Sequence, residues 1–343
     1  MRVMNIEGII TWLLKIVLSP QVFAPIVFPG LLTALMVLLI IIWAERKIAA
    51  RVQMRVGPLY VTRRLGGVLQ MLADGARYMF QEFIIPDSAD KTPFVVAPVM
   101  ALTLAIVPFA FIPSAPGFVP IKSQYSLPAV LALISTIPLS VMLMGWASNN
   151  KFAIQGAVRE AFMGLAYEAV VFLSALAMGL LYGTLDLEEA VTKQWLPGLL
   201  LNPIAAFTFF VGMVMSAGKL PFDIVEGEQE IVAGPYVEYS GIIFGIGMGL
   251  AYLKLYSLTL IYSILFLSGW NPVITPLYSI YPGLAGIFLF IKSFLLMLFI
   301  VFLRAVYGRY RLDQALRAGW RVYLPLSLIA VLLSIFLRVV NIV

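Results

Sequence analysis

Of the 343 residues, 62% are hydrophobic and only 12% charged, and the mean hydropathy is +1.00; a soluble domain of this size could not hide that apolar surplus, so lipid is the solvent. The absence of cysteine and histidine excludes disulfides, thiolate-bound iron–sulfur clusters, thiol nucleophiles and imidazole metal sites, and leaves proton chemistry to Asp, Glu, Lys, Tyr and water. The net charge of +6 sits in loops between apolar runs, which marks membrane topology rather than a nucleic-acid partner.

In chain order, residues 1–18 carry Arg2, Glu7 and Lys15 with no small-residue cleavage site, and read as an amphipathic lead-in or part of the first helix. Apolar runs near the length of about 20 residues that a spanning helix needs follow at roughly 24–44, 94–113, 128–147, 160–182, 199–217, 240–263, 284–304 and 322–340. The expected fold is therefore all-α: a polytopic membrane bundle of about eight helices, one integral domain over 1–343. With the N-terminus outside, the cytoplasmic loops are 45–93, 148–159, 218–239 and 305–321; together with Arg304 they hold 16 of the 23 basic residues. The positive-inside rule then sets the orientation, in a cell membrane with the main loops cytoplasmic.

The first loop reads Glu45-Arg46-Lys47, Arg55-Val56-Gly57-Pro58, Leu69-Gln70, Asp74 and Glu82. Apolar residues recur at helical spacing over 68–80, which predicts an interfacial helix. The third loop differs in kind: Lys219 faces Asp223, Glu226, Glu228, Glu230 and Glu238. Carboxylates that close raise one another's proton affinity, which suits proton exchange near neutrality; a hydrated acidic patch that docks a basic partner is the plainer alternative. Within the spans lie Glu160, Glu168, Lys254 and Lys292. A charge at bilayer depth costs at least ~2.5 kcal/mol, so it marks a pathway by default. Arg159, Glu160 and Lys254 lie near enough to a span end to snorkel; Glu168, about 12 Å farther in at 1.5 Å per residue, and Lys292 are the stronger relay candidates.

The run from Glu45-Arg46-Lys47 through Arg55-x-Gly57-Pro58, Leu69-Gln70-x-x-Ala73-Asp74 and Glu82 resembles the first cytoplasmic loop of the H-subunit family of respiratory complex I. Pro221-Phe222-Asp223, Glu226-x-Glu228-x-Glu230, Val232-Ala233-Gly234 and Glu238-Tyr239-Ser240-Gly241 match as well. So does Arg304-Ala305 with Arg309-Tyr310-Arg311-x-Asp313-Gln314, Gly319-Trp320 and Leu324-Pro325. The resemblance covers about 24–340, in order. It implies eight spans and a membrane anchor that floors the cavity beneath a hydrophilic arm, with no catalytic residue, metal or redox cofactor of its own. Iron–sulfur clusters are expected in partner subunits: an iron–sulfur small subunit and a catalytic large subunit above, with antiporter-like membrane subunits alongside. Glu160, Glu168, Asp223, Glu226, Glu228, Glu230 and Lys292 are then the coupling candidates. Glu45, Arg46, Arg55, Asp74, Glu82, Lys219, Glu238, Arg304, Arg311 and Asp313 belong to the docking and cavity loops.

Departures narrow the family. The quinone-reducing pattern has Asn where Leu59 stands, Arg where Lys219 stands and Glu where Ser216 stands; Lys cannot make the bidentate pairing open to Arg. Anchor subunits of membrane-bound hydrogenases usually shorten the segment from Gly-Pro to Gln70, which this chain keeps. The combination is most similar to the anchor of ferredoxin-dependent, membrane-bound sulfane sulfur reductases of sulfur-metabolising archaea, which couple electron transfer to proton or Na⁺ movement. A stand-alone secondary transporter is the remote alternative; the repeat symmetry common in that class is not visible.

Overall fold

A computed structural model describes residues 19–271 and 283–340, so the lead-in at 1–18 lies outside the described residues. The membrane helices and their connections are α1 (Leu31–Val52), α2 (Gln70–Phe80), α3 (Lys91–Ile106), α4 (Ser126–Ser135), α5 (Ile137–Ala147), α6 (Lys151–Tyr182), α7 (Pro203–Ser216), α8 (Gly241–Phe266), α9 (Gly283–Val306), α10 (Leu312–Ala318) and α11 (Leu324–Val339). Among the described residues seven helical stretches are long and apolar enough to cross a bilayer. The remaining expected span, 199–217, contains α7, whose 14 residues rise about 21 Å, short of the ~30 Å hydrocarbon core. Its start is set by Asn202: the side chain accepts from Ala205 N–H and donates to Ala330 O and Ser334 Oγ, while Pro203 supplies an N1 residue with no N–H to satisfy.

Proline also divides the third span. Pro138 lacks the donor that would continue the ladder, and the helix breaks at Thr136 between α4 and α5. By contrast α6 is unbroken for 32 residues, capped by Asn150 accepting from Phe152 N–H at 2.8 Å and closed by Gly183 at φ 65. It starts nine residues before the expected span, so most of the expected 148–159 loop is helical. That brings Arg159 and Glu160 inside an ordered helix.

α6 and α8 carry the most buried spans. α6 packs on α5, α7 and α11, and α8 on α3, α7 and α9. Small residues allow this closeness, since lipid provides no hydrophobic push between helices. A Cβ on Gly212 of α7 would lie 2.7 Å from Val171 of α6. The outer face of α11 leaves Leu328, Leu332, Ile335 and Phe336 exposed, as a lipid-facing stripe does.

Loops converge on one end. Arg46 of α1 reaches Asp74 of α2 at 2.7 Å, and Trp43 Nε1 donates to Gly66 O. The acidic loop seats Phe222 against the Tyr310 ring at 5.4 Å, and Tyr310 N–H donates to Pro221 O. Its far limb lies on α6: a Cβ on Gly156 would come within 2.6 Å of both Gly234 Cα and Pro235 Cδ. Gly156→Val should therefore displace this loop at a cost of about 1–3 kcal/mol. The check is a lowered melting temperature of the purified complex, with Gly75→Ala, whose Cβ meets nothing within 4 Å, showing no loss.

Candidate functional site

Where α6, α8 and the acidic loop meet, a cleft of about 40 Å³ is lined by Glu160, Lys219, Asp223, Glu226, Tyr236 and Lys254. That is room for a few waters at roughly 10–15 Å³ each. Glu160 and Lys254 are 8% and 4% exposed. They do not snorkel as the sequence allows; helices on every side bury them, and they satisfy each other. Lys254 Nζ lies 3.5 Å from Glu160 Oε1 and donates to the Tyr167 hydroxyl at 3.0 Å. That hydroxyl donates in turn to Glu160 Oε1 at 3.1 Å.

Beyond this trio lies Glu168, next to Tyr167 on α6. Its Oε1 is buried without a hydrogen-bond partner. It lines a second space of about 10 Å³, near the size of one water, together with Tyr167 and Ser216. Ser216 borders both spaces. From the loop side, Tyr236 closes the first cleft; burial, then the carboxylates of Glu226 and Glu160, hold its phenol well above the ordinary value, so it keeps its proton and offers a hydrogen bond.

A second buried cluster joins α1, α8, α9 and the loop. Glu45, 5% exposed, pairs with Arg304, accepts from the Tyr252 hydroxyl at 2.7 Å and has Lys219 Nζ at 4.0 Å. Lys219 also lies 3.5 Å from the Tyr252 ring centroid, a cation–π contact. Lys219 lines the cleft as well, so the two clusters share it.

Other candidates are placed differently. Arg159 bonds Glu230 at 2.5 Å, and Arg309 stands 3.9 Å from it; both arginines also reach Ile224 O. The Arg159 hydrogen bond first, then the charges of Arg159, Arg309 and Arg311, hold the Glu230 carboxyl below its ordinary range. Glu230 thus fits a clamp on the loop better than a carrier that exchanges protons near neutrality. The Glu228 side chain lies outside the described residues. Lys292 stands apart from the cleft: Nζ donates to Leu267 O at 2.6 Å, Gly269 O at 2.8 Å and Asn271 O. All three of its donors thereby cap the far end of α8.

On the surface, Glu238 accepts from Asn150 Nδ2 at 2.6 Å and Arg55 donates to Gln53. Arg311 lies 3.4 Å from Asp313, and Glu82 is exposed with its carbonyl held by Ser240. No group of three His, Cys, Asp or Glu among the described residues is placed to hold a metal ion. Sequence reasoning missed Tyr167, Tyr236 and Tyr252. Tyr167 was findable, since it is seven residues after Glu160 and shares its helix face; the other two meet their partners only through the fold.

A family model described as NADH dehydrogenase matches residues 26–335. The H subunit of NADH-quinone oxidoreductase from Dehalococcoides mccartyi (strain CBDB1) is 36% identical over 301 residues, 87% of this chain and 82% of that protein. The protein of the same name from Caulobacter vibrioides is 36% identical over 338 residues, 90% of this chain and 94% of its own. That from Geobacillus thermodenitrificans is 34% identical over 300 residues, covering 87% and 88%.

Two outcomes follow from the geometry. Glu45→Gln strands Arg304 and Lys219 without their counter-charge, a loss of about 3 kcal/mol, the low end for a broken buried pair because Arg304 keeps 36% of its side chain exposed. Thermal shift of the purified complex should show it, with exposed Arg55→Gln as the neutral comparison. For Glu230 the depressed carboxyl stabilises the loop above the unfolded value of about 4.3, and that support fades only as pH falls through the lowered folded value. Amide exchange over 224–231, corrected for intrinsic rate, should be level from pH 6 to 8 and rise in Glu230→Gln.

Proposed function

The chain belongs to the NADH dehydrogenase family, and on that premise we propose that it is the membrane anchor of an ion-translocating, complex I-like redox complex. In this role it floors the cavity under the iron–sulfur arm and couples electron transfer to ion movement through buried charges. The chain is a multi-pass membrane subunit of an oxidoreductase complex of the kind its relatives form. Iron–sulfur small and catalytic large subunits above the loop end, and antiporter-like subunits beside the bundle, are the partners of this reading. The basic bias of the loops supports a cytoplasmic loop face.

One observation carries it. Asp223 and Glu226 of the loop share a cleft with Glu160 and Lys254, and Tyr167 and Ser216 connect that cleft to Glu168. Counting Arg304 and Glu45 at the other end, the line holds three bases against five carboxylates. Carboxylates in excess, in a space with room for only a few waters, share protons rather than all ionise. Charge that appears above the loop on reduction would move that shared proton inward.

For the electron path, the reading is ferredoxin to sulfane sulfur. Lys219 supports it: it is committed to Glu45 and the Tyr252 ring and lacks the fork that a bidentate acceptor contact uses. Quinone is the second acceptor, favoured by the relatives' names.

In inverted vesicles, Glu168→Gln should cut ion pumping per electron at least tenfold while the complex still assembles; pumping at the wild-type ratio would reject the relay. Reduced ferredoxin oxidation that depends on polysulfide, with no inhibitor-sensitive reduction of a soluble quinone analogue, supports the sulfur acceptor. The converse result selects quinone.

A further inference from the structure

Lys254 neutralises Glu160, yet its geometry is unusual for a simple ion pair. It is 4% exposed, and it contacts Glu160 at the long distance of 3.5 Å while making its shorter bond, 3.0 Å, to the Tyr167 hydroxyl. The ammonium therefore holds the hydroxyl, and the hydroxyl spends its own proton on Glu160. One residue along α6, Glu168 keeps a buried carboxylate oxygen with no donor. Lys254 and Glu160 are the charges that act on Glu168. A buried oxygen without a partner is unfavourable by about 1–3 kcal/mol, and the Tyr167 hydroxyl, now committed to Glu160, and Ser216 line the same space as Glu168.

We propose that Lys254 is a positioning residue of this path: it holds the Tyr167 hydroxyl on the Glu160 anion, and when Glu160 takes up a proton the ammonium and the hydroxyl are released toward Glu168. The proton that forms the new O–H bond on Glu160 leaves a carboxylic acid of the loop, Asp223 or Glu226, through cleft water; Lys254 keeps all of its own protons. Charge in the loop cleft is thus turned into a change of donors at Glu168, with two discrete arrangements of one side-chain group. Tyr167 and Ser216, which border the space at Glu168, leave room for the exchange. The competing description is a static ion pair that only holds α6 to α8.

This inference rests on the relay reading above, and the experiment separates the two. The intact complex in inverted vesicles is assayed for membrane potential with a potential-sensitive dye, which is indifferent to whether the ion is H⁺ or Na⁺, and the signal is divided by the electron flux. Lys254→Met and Tyr167→Phe should each lower that ratio about tenfold, and the double variant should be no worse than the poorer single one, because both act through one hydroxyl. Lys254→Arg should restore at least half of the ratio. If the two losses multiply in the double variant, or Lys254→Met keeps the wild-type ratio, positioning through Tyr167 is wrong. Should Lys254→Met not assemble, Glu160→Gln/Lys254→Met removes both buried charges together. That pair should assemble and pump about tenfold less per electron; a wild-type ratio in it overturns the proposal. Glu168→Gln runs alongside: if it pumps normally the relay itself falls, and if it fails while Lys254→Met pumps normally only the role of Lys254 falls.

Discussion

An ammonium and a carboxylate cannot sit unpaired inside a bundle that has lipid on its outside, and the contact of Lys254 with Glu160 and Tyr167 answers that constraint. It ties α8 to α6, the two most enclosed helices, at the depth where the acidic loop closes over them. Because the pair is met inside protein rather than at the headgroups, the space around it becomes a polar cleft instead of packed core. The loop carboxylates, Tyr236 and Ser216 then gather around that cleft.

The loop end is held by three different kinds of contact, each suited to its surroundings. Buried Glu45 and partly exposed Arg304 form a charge pair that binds α1 to α9 with Tyr252 as a further donor. At the half-exposed rim, Arg159 and Arg309 share Glu230 and the Ile224 carbonyl, so that several weak surface interactions combine on one turn of chain. Between them the contact is steric: a Cβ on Gly156 would collide with Gly234 and Pro235, and one on Gly234 with the Val225 carbonyl. A loop held in this way is fixed in place yet leaves Asp223 and Glu226 on the cleft.

Family membership and local departures bear on different questions. Helix order and loop motifs extend along most of the chain and place it beside its NADH-quinone oxidoreductase relatives. Ser216 and Lys219 are buried in the lining of the cleft itself. The side chains that hold helices together can therefore persist while those that meet the cavity change, since packing and cavity chemistry draw on different faces of the same helices.

Hydropathy alone determined the all-helical class and the positions of seven of the eight expected spans, because a bilayer demands a run of apolar residues and internal satisfaction of every backbone group. The amphipathic period over 68–80 likewise located α2. Charge in a loop marked Asp223 and Glu226, and charge within a span marked Glu168, as residues of interest, since charge in or beside lipid is conspicuous in one dimension. Pairing was not legible there. Lys254 and Glu160 are 94 residues apart, Tyr252 and Glu45 are 207 apart, and nothing local in either segment specifies the other. Lys292 reads as a relay candidate from its depth, yet its donors end on carbonyls of the turn that follows α8. The tertiary structure alone decided which buried charges meet and which cap a helix, because burial energy depends on what lies opposite a side chain and helix packing sets that.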